Sequence, residues 1–313
     1  NAEPLMVFLF FFLAAFIVVN AMALIGGLGT YAERKISADL QMRMGPNRVG
    51  PYGLIQFLAD GVKFIMKEGI IPKSADKFLF TLAPTLCLVG VLGSLTVVPY
   101  SSGFILSDLD IGLFFLIGIS SLVGLGIFLG GYASNSKWAM LGGMRAAAQI
   151  ISYEIPVVIS GLSCVLLAGG LSFTTLIEAQ TGFPHGWFIF HNPFTFIGFF
   201  VFFVGGLAET NRAPFDLPEA EAELVSGYQT EYSGMMYAMF WLGEYANILL
   251  MCALGSILFL GGWLSPLDIF PFTMVPDPLW LIIKILFLFV LFALVKAIVP
   301  RYRYDQLMRL GWK

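Results

Sequence analysis

Carboxylates cluster where this chain has little room for them. Residues Ala208 to Gly234 read AETNRAPFDLPEAEAELVSGYQTEYSG and hold Glu209, Asp216, Glu219, Glu221, Glu223 and Glu231 with one cation, Arg212. The whole chain has 20 Asp and Glu in 313 residues, so six in one short segment is a marked concentration. Carboxylates held close together raise one another's pKa values and bind or release protons near neutral pH. The chemistry this suggests is proton transfer. The plainer alternative is a solvated helix start, with Asp216 as cap and Pro218 in the first turn. In a helical stretch Glu219 and Glu223, four residues apart, share one face, with Glu221 turned away from both.

Two further acids, Glu154 and Glu244, fall inside apolar runs. Glu154 follows Arg145 by nine residues and Glu244 follows Met235 by nine, which places each about 13 Å along a helix from there. An acid at that depth must be protonated, paired or facing water, because an isolated charge in hydrocarbon costs several kcal/mol. One reading is a structural hydrogen bond or an ion pair with Lys284 or Lys296; the other is a proton relay. A second polar stretch, YAERKISADLQMRMGPNRVGPYG, carries Glu33 and Arg34 where the first apolar run meets the interface. Its glycines and prolines enforce turns around Asn47 and Arg48 but match no phosphate-binding loop. Such a basic loop serves either lipid headgroups or a ligand. Cys87, Cys164 and Cys252 are far apart within apolar runs, and His185 and His191 share one loop, so no metal-ligand spacing exists.

The elements that must position these residues are membrane helices. Hydrophobic residues make up 58% of the chain and charged ones 12%, about half the charged share of a soluble domain. A hydrocarbon core of about 30 Å needs about 20 apolar residues per helix. Runs of that kind lie near 5–31, 78–98, 111–132, 141–168, 235–263 and 279–299, and a shorter run at 194–208 completes seven spans. The first run is too long for a signal peptide and reads as a permanent helix. The segment PYGLIQFLADGVKFIMKE is too short and too charged to cross and reads as an amphipathic interfacial helix. Fifteen of the 17 Lys and Arg fall on one side of this seven-span scheme: eight between Tyr31 and Lys77, then Lys137, Arg145, Arg212 and four from Arg301 to Lys313. That asymmetry places those loops in the cytoplasm or its mitochondrial equivalent. Lys284 and Lys296, near the ends of the last span, are expected to snorkel. The expected organisation is one polytopic domain over 1–313, all-α, with cytoplasmic-side loops at 32–77 and 208–234.

Four stretches together resemble one family. AERKISADLQMRMGPNRVGPYG with ADGVKFIMKE, then GGMRAAAQIISYE, then AETNRAPFDLPEAEAELVSGYQTEYSG, then RYRYDQLMRLGWK are similar to signatures of the quinone-site membrane subunit of respiratory complex I, NADH:quinone oxidoreductase. The similarity runs in order from about Thr30 to Lys313. The resemblance implies a subunit that forms much of a quinone chamber and links it to the proton-translocating arm. By position, Glu33, Arg34, Asp60, Phe64, Arg212, Phe215 and Asp216 would line or shape the quinone chamber. Glu154, Glu209, Glu219, Glu221, Glu223, Glu231 and Glu244 would belong to an acidic passage leading from it. Quinone would be the substrate at a shared site, with no cofactor bound covalently and with FMN and iron–sulfur clusters in partner subunits. The implied partners are the peripheral-arm and antiporter-like subunits of the complex, the lipid bilayer and quinone, and no nucleic acid; the implied location is the bacterial inner membrane in preference to the mitochondrial one. The family usually has an eighth span after GWK, where this sequence stops at Lys313. Related readings are the equivalent subunit of a membrane-bound hydrogenase or photosynthetic NDH complex; readings of other classes are a stand-alone ion transporter using Glu154 and Glu244, and a passive docking scaffold.

Overall fold

The computed structural model describes residues 2–182, 186–267, 270 and 272–313. They form α1 (Ala2–Leu40), α2 (Gln56–Met66), α3 (Lys77–Leu95), α4 (Gly112–Ala133), α5 (Lys137–Ala168), α6 (Phe173–Glu178), α7 (Phe188–His191), α8 (Pro193–Glu209), α9 (Glu221–Leu224), α10 (Gly234–Phe259), α11 (Asp277–Ile298) and α12 (Tyr304–Trp312). Six helices (α1, α3, α4, α5, α10 and α11) are long and apolar enough to cross a membrane, and the 17-residue α8 is a shorter apolar helix beside them. The fold is an all-α membrane architecture.

Local chemistry sets several helix ends. Asp76 caps α3 by accepting from the Phe78 and Leu79 amides at 3.0 and 3.3 Å. Asn192 caps α8 by accepting from the Phe194 amide, with Pro193 supplying the first helical position. Gly169, at φ 75°, ends α5 in the left-handed conformation that a Cβ disfavours. The described helices pack around α10, whose apolar window is 83% buried. It touches α3, α11, α1, α2 and α8, while α5 packs on α4 and α8. A helix apolar on all sides belongs at such a centre.

Two expectations change here. The first helix does not end at Tyr31 but continues to Leu40, which places Glu33 within a helix and buries it. Unbroken helical periodicity carries it past the apolar run, because no Gly, Pro or cap intervenes before Met42 adopts positive φ. The acid-rich segment is also not one helix. Leu217–Glu219 is a 3-10 turn, Ala220 breaks it at φ −50°, ψ 97°, and α9 then runs for four residues. Glu219 and Glu223 therefore point to different surroundings.

The turn after α9 is fixed by a close approach. Gly227 has φ 56°, and a Cβ there would lie 1.7 Å from the Pro218 oxygen. A Cβ on Gly142 of α5 would likewise meet the Tyr228 amide at 2.7 Å. Glycine at both positions lets α5 press the Gly227–Gln229 turn toward α10.

Candidate functional site

Four charged side chains from four separate elements meet inside the protein: Glu33 of α1, Arg212 of the turn after α8, Glu244 of α10 and Lys296 of α11. Arg212 Nη1 lies 3.3 Å from Glu33 Oε1, and Arg212 Nε 3.2 Å from Glu244 Oε1. Lys296 Nζ donates to the same Glu33 oxygen. The Arg212 and both carboxylate side chains are about nine-tenths buried, whereas Lys296 is 35% exposed. Two acids and two bases balance, as buried charges must. Arg212 also sits 4.3 Å over the Tyr245 ring. Burial works against its charge, but Glu244, Tyr245 and Glu33 outweigh it and hold the guanidinium more firmly protonated than usual. Its Nη2 is buried with no hydrogen-bond partner among the described residues.

Two of the four, Glu33 and Lys296, line a cavity of about 420 Å³ formed by the end of α1, the loop after it and the end of α11. Glu33, Arg34, Arg43 and Lys296 supply its polar wall and Ala38, Met44 and Pro46 part of its apolar one. Arg34 reaches across to Asp60 of α2 at 2.8 Å, and Gln56 donates to the other Asp60 oxygen at 3.1 Å. Phe64 stands on α2 with its ring 5.7 Å from Tyr237 and 6.1 Å from Trp241 of α10. Phe215 and Asp216 face elsewhere, toward the C-terminal segment. Phe215 packs between Tyr153 and Tyr302 with centroid distances of 5.5 and 5.6 Å. Asp216 takes both ends of Arg301, at 2.7 and 2.6 Å, in place of the expected side-chain cap on its own turn. Gln149 of α5 ties the loop down by donating to the Ala208 and Phe215 carbonyls at 2.7 and 2.8 Å.

The remaining acids divide. Glu209 and Glu244 line one small internal cavity of about 20 Å³, together with Tyr228, Asn211 and Asn247. Glu219 is bonded beside it, accepting from the Tyr228 hydroxyl at 3.0 Å and from the Gln229 amide at 2.6 Å. Burial pushes the Glu219 carboxyl up to about 8, with the charge of Glu244 adding to the shift. Glu154 is half-buried on α5 and opens on an apolar groove against α4 lined by Ser121, Leu125 and Phe128. It is near enough to Glu209 for the two to interact electrostatically. Neither Glu154 nor Glu209 has an ion pair or hydrogen bond among the described residues. Glu223 lies outside, exposed and paired with Arg145 at 2.7 Å. Glu231 is half-buried at the start of the approach to α10. The Glu221 side chain and all of His185 lie outside the described residues.

A family model described as NADH dehydrogenase matches residues 12–313. The chain belongs to the NADH dehydrogenase family. It is 58% identical over 283 residues to an NADH-quinone oxidoreductase subunit of Pelagibacter ubique, covering 90% of this chain and 83% of that one. The subunits of the same name from Rhodospirillum centenum and Novosphingobium aromaticivorans are each 51% identical over 90% of this chain and 82% of theirs.

Several residues that organise the site in this NADH dehydrogenase family chain escape sequence reading. The lysines behave differently from expectation. Neither Lys284 nor Lys296 pairs with Glu154 or Glu244. Lys296 binds Glu33 instead, and Glu244 takes Arg212. Lys284 does not snorkel; it is buried, donating to the Gly262 and Leu264 carbonyls at 2.8 and 2.7 Å beneath Trp187. The unwound chain after α10 leaves carbonyls without helical partners, and the ammonium satisfies two of them. Tyr228, Gln229, Tyr245, Asn247, Gln149 and Arg301 carry no pattern that singles them out. For Tyr228, Gln229 and Tyr245 the available signal is adjacency in sequence to the acids or to one another.

Proposed function

We propose that this chain is the membrane subunit of a proton-translocating NADH:quinone oxidoreductase that forms much of the quinone chamber and joins it to a buried acidic passage. The observation that carries the reading is the quartet of Glu33, Arg212, Glu244 and Lys296, which borders a cavity of about 420 Å³ through Glu33 and Lys296 and a second cavity through Glu244. The name borne by the relatives, NADH-quinone oxidoreductase, brings quinone to this chain as the substrate.

Glu33, Arg34, Asp60, Phe64 and Arg212 border or support the larger cavity and the apolar seam between α1, α2 and α10, which suits an isoprenoid tail. Phe215 and Asp216 shape it indirectly, by anchoring the loop that presents Arg212. Glu244, Glu209, Glu154 and Glu219 form the passage; Glu223 and Glu231 mark its outer mouth, and Glu221 is assigned to it by its place in the sequence alone. Reduction of a quinone consumes two electrons and two protons. The electrons come from FMN and iron–sulfur clusters in partner subunits. A change of charge at the quinone alters the balance of the quartet, and Glu244 hands that change to the acids behind it. A charge change can bias a conformational equilibrium only as far as the two states differ in proton affinity. The whole chain acts as one polytopic domain in a bacterial inner membrane, with the basic loops on the cytoplasmic face.

The test is Glu244→Gln or Glu154→Gln in the assembled complex. Each is expected to lower coupled quinone reduction while the complex still assembles; normal turnover and normal pumping in both would overturn the reading.

A further inference from the structure

The small cavity between Glu209 and Glu244 has one feature that the acidic passage does not use. Asn247, only 4% exposed, stands on α10 in its wall, and its Oδ1 is buried with no hydrogen-bond partner among the described residues. A buried amide oxygen is seldom left unpaired in a native protein; where the surroundings are polar and roomy enough, an ordered water takes it. The cavity volume of about 20 Å³ is room for a single water, which needs about 10–15 Å³ by this measure. Glu209, Glu244, Asn211 and Tyr228 bring further polar groups to the same wall.

Tyr228 is the second observation. Its side chain is 2% exposed, it lines this cavity, and its hydroxyl donates to Glu219 while accepting from Gln229 Nε2 at 2.8 Å. Glu219 itself does not line the cavity. The phenol is thus the side chain common to the cavity wall and the Glu219 hydrogen bonds. Its ring is wedged edge-on against Phe240 at 5.4 Å, and the Gly142–Gly227 approach fixes the backbone beneath it.

Resting on the reading of this chain as a proton-handling subunit, we propose that the cavity is a single-water transfer node in which Asn247 positions the water and Tyr228 passes protons between it and Glu219. The bonds balance. A proton leaves the Glu244 carboxyl for the water; the water gives one of its protons to the phenol oxygen as the phenol's own proton moves to the Glu219 carboxylate. The net change is one proton moved from Glu244 to Glu219, with water and tyrosine restored. The reverse sequence moves it back. The raised affinity of Glu219 for its proton lets it serve as the receiving end near neutral pH. This separates Glu219 from Glu223, which is exposed on Arg145 and has no place in the node.

The test uses the assembled complex in liposomes. Tyr228→Phe keeps the ring and removes the hydroxyl; Asn247→Leu keeps the volume and removes the amide; Asn247→Ser restores a polar group able to hold water. Tyr228→Phe and Asn247→Leu are expected to slow coupled quinone reduction at least about tenfold, with Tyr228→Phe approaching the roughly 100-fold scale of a lost proton-transfer group. Combining Tyr228→Phe with Glu219→Gln should add nothing further, because both break the same step. Asn247→Ser should recover much of the loss, and a map of the unaltered complex that resolves waters should show one density against Asn247. A dry cavity, additive losses, no recovery in Asn247→Ser or wild-type turnover in Tyr228→Phe would each overturn the proposal. If Glu244→Gln is impaired while Tyr228→Phe is not, this inference alone falls; wild-type behaviour in both overturns the functional reading as well.

Discussion

Around Arg212 each carboxylate has a cation in contact, whereas Glu219, a few residues along the same segment, is bonded among the described residues to a phenol and an amide. The first is buried and Glu219 half-buried, and both lie within reach of Glu244. The first balances its charges by pairing them, which fixes its members in position. The second offers neutral donors, which leave a carboxylate free to gain and lose its proton. Pairing makes charged architecture; lack of a paired cation makes a titrating group. Glu244 belongs to both, pairing with Arg212 while facing the cavity shared with Glu209.

The hardest blow to that contrast is Arg212→Leu. It strands Glu33 on Lys296 alone and leaves Glu244 with no ion partner, so destabilisation of about 3–5 kcal/mol is expected, seen as loss of assembly or a large drop in the thermal midpoint. Glu244→Gln comes next. It keeps the shape and a hydrogen bond to the same space but removes the proton and the charge; assembled complex should be recovered with coupled turnover reduced by about tenfold or more. Nearly normal proton pumping in that variant would place Glu244 with the architecture alone.

Glu219→Gln shares the loss of turnover expected of Tyr228→Phe but has a smaller effect on stability, sharpest in its pH dependence. The carboxyl is held up to about 8 in the folded chain and has its ordinary lower value when unfolded. Between those values the folded state binds more protons, so stability falls as pH rises from about 4.5 to about 8 and is level beyond. Replacing the acid by an amide removes that slope, and the difference in thermal midpoint between pH 5.5 and pH 8 should shrink. An unchanged slope would assign it to another group. Smallest of all is Glu223→Gln. Its pair with Arg145 is exposed and contributes at most about 1 kcal/mol, so stability and turnover should stay close to wild type.

Those last two variants mark where sequence reading stops. Glu219 and Glu223 have the same residue type, the same segment and helical spacing, and sequence places them together. The backbone break at Ala220 sends one into the interior and the other to the surface. Nothing in a run of alternating Glu and Ala announces that break; the segment packs where Gly227 closes on the Pro218 oxygen and Gly142 of α5 closes on Gly227, contacts between residues distant in sequence. The amphipathic helix, by contrast, is legible, because its pattern of apolar and charged positions is local: the segment from Pro51 to Glu68 contains α2 at Gln56–Met66.

The sequence by itself determined the class of molecule, the helices and the neighbourhood of the chemistry. Those follow from transfer energies and periodicity, which each segment expresses without help from its neighbours. Only the tertiary structure decided which charge meets which. Glu33 finds Lys296 across 263 residues and Arg212 across 179. In a low-dielectric interior a few ångströms decide whether an acid is paired or left to titrate, and that distance is set by helix packing around α10 and not by spacing along the chain.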